Sequence, residues 1–290
     1  MRGDDLIRLA KEKPVIGDGA MGTMLQRSGM QSGECPELWN VSHPDVLRRI
    51  HQEYIDAGSQ VIGTNTFGGN RLKLESYGLS DRLVELNSAG VAIAREMAGP
   101  NRFVAASIGP TGKFLEPLGE LSFDKAVDVF AEQAFAQAKA GADVILLETF
   151  SDLDEARAAV TGVLKSGVPC FCTMTFDTGG RTMMGIDPIT AATSLVEAGA
   201  SGVGANCGLG PAGTLEIIRS IRNATDAIVI AQPNAGLPVV VDGQTTYNST
   251  PEEMAHFAVE FAAIGVNIIG ACCGSSPDHI RAMAEAVKAL

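Results

Sequence analysis

The sequence predicts an α/β fold of one class, a single (β/α)8 TIM barrel, and three observations carry that prediction. Its 290 residues lie near the ~250 typical of one such barrel. A short phrase recurs four times, as Ala57-Gly58-Ser59-Gln60-Val61, Ala140-Gly141-Ala142-Asp143-Val144, Ala198-Gly199-Ala200-Ser201-Gly202 and Ile264-Gly265-Val266-Asn267. Eight short runs rich in Val and Ile alternate with amphipathic stretches, and no Pro/Ser-rich linker or low-complexity tract divides them. One domain over residues 1–290 is therefore expected. A doubly wound open sheet is the rival pattern for such alternation.

The strands are expected at about 14–18, 60–66, 102–108, 143–149, 169–175, 202–206, 228–232 and 266–271. They are apolar on both faces, as parallel strands covered by helices should be. Each glycine of the recurring phrase follows an amphipathic stretch and precedes an apolar run, which reads as a left-handed cap ending a helix just before a strand. Helix starts are marked by a capping residue followed by proline at Asp187-Pro188, Thr250-Pro251 and Ser276-Pro277. Thr250 followed by Glu253 also fits a capping box.

Composition excludes several function classes. With 22 Lys+Arg against 34 Asp+Glu the formal charge is −12, and 46% of the residues are hydrophobic. That is a globular composition without the basic footprint of a nucleic-acid binder. No apolar run approaches the ~18 residues of a membrane span. The start, Met1-Arg2-Gly3-Asp4-Asp5, has no long apolar segment of the kind that opens a secretory signal. A cytoplasmic protein is expected, with its six cysteines as thiols or metal ligands and not disulfides.

In a barrel the chemistry lies where the strands run out at their C-terminal ends. Those positions carry Asp18-Gly19-Ala20-Met21, Thr64-Asn65-Thr66-Phe67-Gly68-Gly69-Asn70, Ser107, Glu148-Thr149, Asn206-Cys207-Gly208, Pro233-Asn234-Ala235-Gly236 and Cys272-Cys273-Gly274. Cys170 and Cys172, two apart inside a strand, share one face and read as buried small side chains. Cys207, Cys272 and Cys273 stand at strand ends that are second neighbours in a barrel. Three thiolates and one open position would make a tetrahedral zinc site, although spacing alone is equally compatible with three buried cysteines. The four histidines lie at or within helices and offer no competing site. Phe67-Gly68-Gly69-Asn70 lacks a following Lys-Ser/Thr and reads as a tight turn, not a phosphate loop.

These motifs resemble the homocysteine S-methyltransferase family, and most closely the homocysteine-binding barrel of cobalamin-dependent methionine synthase. The resemblance runs along nearly the whole chain, from Asp18-Gly19-Ala20-Met21-Gly22-Thr23 through Asn65-Thr66-Phe67-Gly68-Gly69 to Gly270-Ala271-Cys272-Cys273-Gly274. It implies that Cys207, Cys272 and Cys273 hold zinc and that the acceptor thiol, homocysteine, fills the fourth position. Asp18 and Glu148 match the family's acids for the amino acid's ammonium group. Backbone N–H groups near Ala20 and Met21, with the Ser107 hydroxyl, are candidate donors to its carboxylate. A further expectation is that the Asn234 side-chain oxygen takes the open zinc position when no thiol is bound.

The donor is less defined. Relatives take methyl from protein-bound methylcobalamin, betaine or S-methylmethionine. No D-x-H-x-x-G cobalamin motif is present, so a methylcorrinoid would arrive on a separate corrinoid-binding protein or module. A betaine site calls for an aromatic cage, and the chain offers few rings for one, with Trp39 in the loop after the first strand and Leu38-Trp39 similar to S-methylmethionine users. The motif set favours methylcorrinoid as donor and methionine as product. The alternatives are betaine or S-methylmethionine, a corrinoid-linked demethylation enzyme with another thiol acceptor, and a non-catalytic redox-sensitive thiol protein.

Overall fold

The computed structural model describes residues 2–241 and 244–290. In chain order the first half runs α1 (Arg2–Glu12), β1 (Val15–Ile16), α2 (Met21–Arg27), α3 (Trp39–Ser42), α4 (Pro44–Asp56), β2 (Val61–Gly63), α5 (Arg71–Glu75), α6 (Leu83–Ala98), β3 (Phe103–Ile108), α7 (Phe123–Lys139) and β4 (Val144–Phe150). The second half runs α8 (Leu153–Leu164), β5 (Cys170–Met174), α9 (Pro188–Glu197), β6 (Gly202–Asn206), α10 (Pro211–Ala224), β7 (Ile228–Gln232), β8 (Val239–Val241), β9 (Gln244–Thr246), α11 (Pro251–Ala263), β10 (Ile268–Ile269) and α12 (Pro277–Lys288). All eight expected strands are present. Two elements were not foreseen: α1, and the antiparallel β8–β9 hairpin.

Eight strands pair in parallel in the order β1-β10-β7-β6-β5-β4-β3-β2. The remaining seam, between β1 and β2, is closed by Gln60. Its backbone N–H donates to Ile16 O at 2.7 Å, and its side-chain oxygen accepts the Ile16 N–H at 3.2 Å. The sheet thus curls into a barrel, and the open doubly wound alternative is excluded. Gly58, Gly141, Gly199 and Gly265, the recurring glycines, all have φ between 84° and 107°, as left-handed caps require. Asp187 caps α9 by accepting from Ile189 and Thr190, and Thr250 caps α11 by accepting from Glu253.

Side-chain alternation sorts the strands into two layers. Ile16, Ile62, Ala106, Ile145, Cys172, Val203, Val229 and Ile269 face the helices in one core cluster. Val15, Val61, Ala105, Val144, Leu146, Phe171, Ile230 and Ile268 fill the barrel interior in another. The interior cluster is plugged at its N-terminal end by Leu6 and Ala10 of α1. Cys170 and Cys172 lie fully buried in the outer layer, as small apolar side chains. Among the described residues no helix is long and apolar enough to cross a membrane.

Candidate functional site

The inward alternation that stacks apolar residues low in the barrel continues upward into polar ones. On β3 it runs Phe103, Ala105, Ser107; on β4 Val144, Leu146, Glu148; on β7 Ile228, Ile230, Gln232. Thr173 and Asn206 hold the equivalent positions on β5 and β6. These ends open into a cavity of about 430 Å³. Asp18, Ala20, Met21, Ser107, Glu148, Cys207, Cys272 and Cys273 all line it, so the structure brings the expected residues to one place. A larger recess of about 520 Å³ beside the start of α10 contains none of them.

The three sulfur atoms lie within 4.8 Å of one another, and the Cys207 and Cys273 Sγ atoms are 3.8 Å apart. Zinc–thiolate bonds of ~2.3 Å at a tetrahedral angle put sulfurs ~3.8 Å apart. The donor set therefore fits a thiophilic tetrahedral ion with one position left over. Hydrogen bonds from Cys207 and then Cys272 draw the Cys273 thiol well below the ordinary range, while the same contacts and burial push Cys272 up. Backbone bonds fix the strand ends: Cys207 N–H to Gln232 O at 3.0 Å, Cys272 N–H to Pro233 O at 2.8 Å, and Ala235 N–H to Cys273 O at 2.9 Å. Gly274, with φ 81°, turns the chain beneath the Tyr247 ring, which approaches so closely that a Cβ there would lie 2.2 Å from it.

Among the described residues two non-glycine ones hold left-handed backbone, Thr149 at φ 66° and Cys207 at φ 57°. Such conformations cost of order 1–3 kcal/mol each and persist only where neighbours hold them. For Thr149 that neighbour is Asn206. Its Oδ1 accepts from Thr149 N–H at 2.8 Å and Thr173 hydroxyl at 2.7 Å, and its Nδ2 donates to Thr149 Oγ1 at 2.8 Å and Cys272 Sγ at 3.9 Å.

The same cavity is lined by two carboxyls, the buried Asp18 and the half-buried Glu148. Asp18 accepts the Gly63 N–H at 2.7 Å, and Glu148 accepts the Ser107 hydroxyl. Burial is the main cause that pushes both up to about 7; the Glu148 charge adds to the rise at Asp18, and the Cys273 charge to that at Glu148. Two expected carboxylate donors are already engaged. The Ala20 N–H donates to Ser275 Oγ at 3.0 Å, and the Ser107 hydroxyl is turned to Glu148. Asn234 lies outside the cavity lining, and its Oδ1 is buried with no partner among the described residues.

Trp39 is buried, donates to Glu34 at 2.9 Å and stacks on His43, so it anchors a loop and does not line the cavity. The lining rings are Phe67 and Tyr77. His279 accepts the Ser276 N–H and donates through Nε2 to Ser249 O at 3.0 Å, a structural role. Sequence reasoning missed Gln232, Glu37 and Lys73, which also line the cavity. The period-two alternation on β7 could have found Gln232. Glu37, whose carboxylate accepts the Gly68 N–H at 2.6 Å, sits in the single helical turn Pro36–Leu38, too short to carry a periodic signal.

The family model for homocysteine S-methyltransferase matches residues 15–287. Methionine synthase of Mycobacterium tuberculosis (strain ATCC 25618 / H37Rv) is 36% identical over 302 residues, an alignment covering 98% of this chain and 25% of that protein. Methionine synthase of Mycobacterium leprae (strain TN) is 35% identical, with the same coverage of 98% and 25%. The chain thus spans about a quarter of the length of these relatives. Among solved structures, the metallated form of the homocysteine methyltransferase MmuM from Escherichia coli superposes with TM-score 0.77 at 22% identity, covering 96% of this chain and 98% of that one, a likeness of fold. With the family profile matched across nearly the whole barrel, the chain belongs to the homocysteine S-methyltransferase family of methyltransferases.

Proposed function

We propose that this barrel methylates the thiol of homocysteine to give methionine, with zinc held by Cys207, Cys272 and Cys273 and a methylcorrinoid on another protein or module as the donor. The observation that carries the reading is the thiol trio in a cavity with two carboxyls, Asp18 and Glu148. A zinc ion there would supply the Lewis acidity that keeps a substrate thiol deprotonated at neutral pH, where a free thiol of pKa ~8.5 is only a few per cent ionised.

The chain's own residues select and orient the substrate. Asp18 and Glu148 face the cavity with carboxyls raised to about 7, so near neutrality each is poised between its neutral and charged forms. An ammonium group entering between them favours the charged forms and releases the bound protons. Ser107 keeps Glu148 aimed inward through its hydroxyl. The amino end is held at the carboxyls and the sulfur end at the thiols, which leaves the sulfur's free side toward the mouth. Methyl transfer then forms one S–C bond as the bond from the methyl carbon to its carrier breaks, its electron pair leaving with the carrier.

Two findings favour a corrinoid over betaine. Trp39 is packed away from the cavity, and Phe67 and Tyr77 do not make a cage of several rings. Zinc analysis of the purified protein, followed by methionine assays with methylcobalamin, betaine or S-methylmethionine, tests both parts. One zinc per chain and methionine from methylcobalamin alone is the expected result. Methionine from betaine or S-methylmethionine would overturn the donor, and protein that takes up no zinc would overturn the site.

A further inference from the structure

We infer that Asn206 is a positioning residue that sets the span between the amino-acid end and the thiol end of the site, and so selects homocysteine over the shorter cysteine. The inference rests on the reading of the trio as the metal and thiol site. Asn206 is 1% exposed, and its amide has no spare capacity. Both acceptor positions are taken by Thr149 N–H and Thr173 hydroxyl, and both donors by Thr149 Oγ1 and Cys272 Sγ. The orientation of the amide is settled chemically, because a backbone N–H can only donate and so must face Oδ1.

The amide's partners belong to both halves of the site. Thr149 follows Glu148, which faces the ammonium position; Cys272 and the adjoining Cys207 form the thiol position. Thr149 and Cys207 are also, among the described residues, the two non-glycine residues with left-handed backbone. A β-branched residue adopts that conformation only under constraint, and the paired bonds between Thr149 and Asn206 provide it. One side chain, on the residue next to Cys207, therefore ties the turn after Glu148, Thr173 and the sulfur of Cys272 in a single register across β4, β5, β6 and the β10 end. Homocysteine exceeds cysteine by one methylene, and a site can weigh that difference only if its two ends are held at a fixed separation. Discrimination by one methylene is worth about 10–200-fold.

Two substitutions separate the arms of the amide. Asn206→Asp is isosteric and keeps the acceptor for Thr149 N–H but loses both N–H donors. Thr149→Val is isosteric with threonine and removes Oγ1 while leaving the contact to Cys272 in place. Zinc-loaded wild type and variants are titrated calorimetrically with homocysteine and with cysteine, and zinc release to a chromophoric chelator is timed.

The expected result for Asn206→Asp is a homocysteine affinity about tenfold weaker, a homocysteine-to-cysteine preference reduced about tenfold, and zinc release at least about tenfold faster. Thr149→Val is expected to lower the preference with zinc release unchanged, and Thr149→Ser to restore it. Wild-type preference and release rate in Asn206→Asp would overturn the inference. If that variant does not fold, an unchanged preference in Thr149→Val overturns it instead. Wild-type protein that binds neither zinc nor homocysteine would refute the underlying reading of the site.

Discussion

Replacing Asp18 with asparagine should make the protein more stable at pH 8 while weakening its hold on the substrate. The side chain is buried, and burial, opposed by the Gly63 hydrogen bond and reinforced by the Glu148 charge, carries the carboxyl from 3.8 to about 7. At ~1.4 kcal/mol per tenfold change in proton affinity, the ionised side chain costs the folded state about 4 kcal/mol above neutrality. Below pH 3.8 both states hold the proton and there is no effect. Between 3.8 and 7 the unfolded chain has released it and the folded chain has not, so the unfolded state binds fewer protons and stability falls as pH rises. Above 7 the loss is complete. Asparagine removes the charge and keeps an oxygen for the Gly63 N–H, a bond of 2.7 Å in the wild type.

Urea unfolding of both proteins at equal zinc content, from pH 5 to pH 8, reads the difference. Titrating groups that do not interact with Asp18 cancel in that comparison, notably His51, which burial lowers to about 4 and whose contribution runs in the opposite sense. The advantage of Asp18→Asn should grow by about 2–3 kcal/mol across the range, with a midpoint temperature at least ~4 °C above wild type at pH 8. A difference that stays flat with pH, or a variant less stable than wild type at pH 8, would refute the argument that the site stores its binding energy in buried carboxyls.

Other expectations concern the same site and its scaffold. Alanine at Cys207, Cys272 or Cys273 should abolish stoichiometric zinc and lower turnover by more than about 100-fold, read by metal analysis and methionine formation. Homocysteine KM should rise on acidification below 7, by about tenfold per pH unit for each carboxyl that must be ionised, as Asp18 and Glu148 take up protons and lose their attraction for the ammonium group; a KM independent of pH between 6 and 7 would contradict this. Gly274→Ala places a Cβ against the Tyr247 ring at φ 81°, and should cost about 2 kcal/mol or more in urea unfolding. Gln60→Ala keeps the backbone bond across the β1–β2 seam but leaves the Ile16 N–H without its acceptor, at a cost of about 1–2 kcal/mol by the same assay.

The fold was legible because its signal repeats. Four helix-ending glycines and eight apolar runs each say the same thing, and an error at one would be corrected by the others. The thiols, Asp18 and Glu148 were legible because they stand at strand ends, where position follows from strand register. What depends on a single contact was not legible. Nothing in the sequence shows that the Ala20 N–H turns to Ser275, or that the Ser107 hydroxyl turns to Glu148. Both pairs are remote in the chain, and their meeting depends on side-chain rotation inside a closed barrel. The orientation of Trp39 was open in the sequence for a similar reason: its stacking on His43 and its bond to Glu34 are local, but the loop's direction is set by packing. The β8–β9 hairpin follows β7 after a stretch rich in proline and glycine, where turn signals outweigh strand signals.

The site can be understood as the upper layer of the barrel's own core, filled with polar groups. Lower in the interior the inward positions hold Val15, Val61, Val144, Ile230 and Ile268, which bury apolar area and stabilise the closed sheet. Toward the C-terminal ends of β3, β4, β5, β6 and β7 the inward positions become Ser107, Glu148, Thr173, Asn206 and Gln232, and the local balance changes sign. Two carboxyls are held away from water, two residues are held in left-handed backbone, and Gln232 and Asn234 keep side-chain oxygens without partners among the described residues. Each of these is a cost to the folded state that a bound ammonium, thiol or metal can offset. Apolar burial below therefore has to exceed the polar strain above, and the plug formed by Leu6 and Ala10 of α1 extends that apolar layer at the end farthest from the chemistry. The arrangement makes ligand binding and folding draw on the same interactions. It also explains why neutralising Asp18 is expected to stabilise the chain while weakening what the chain binds.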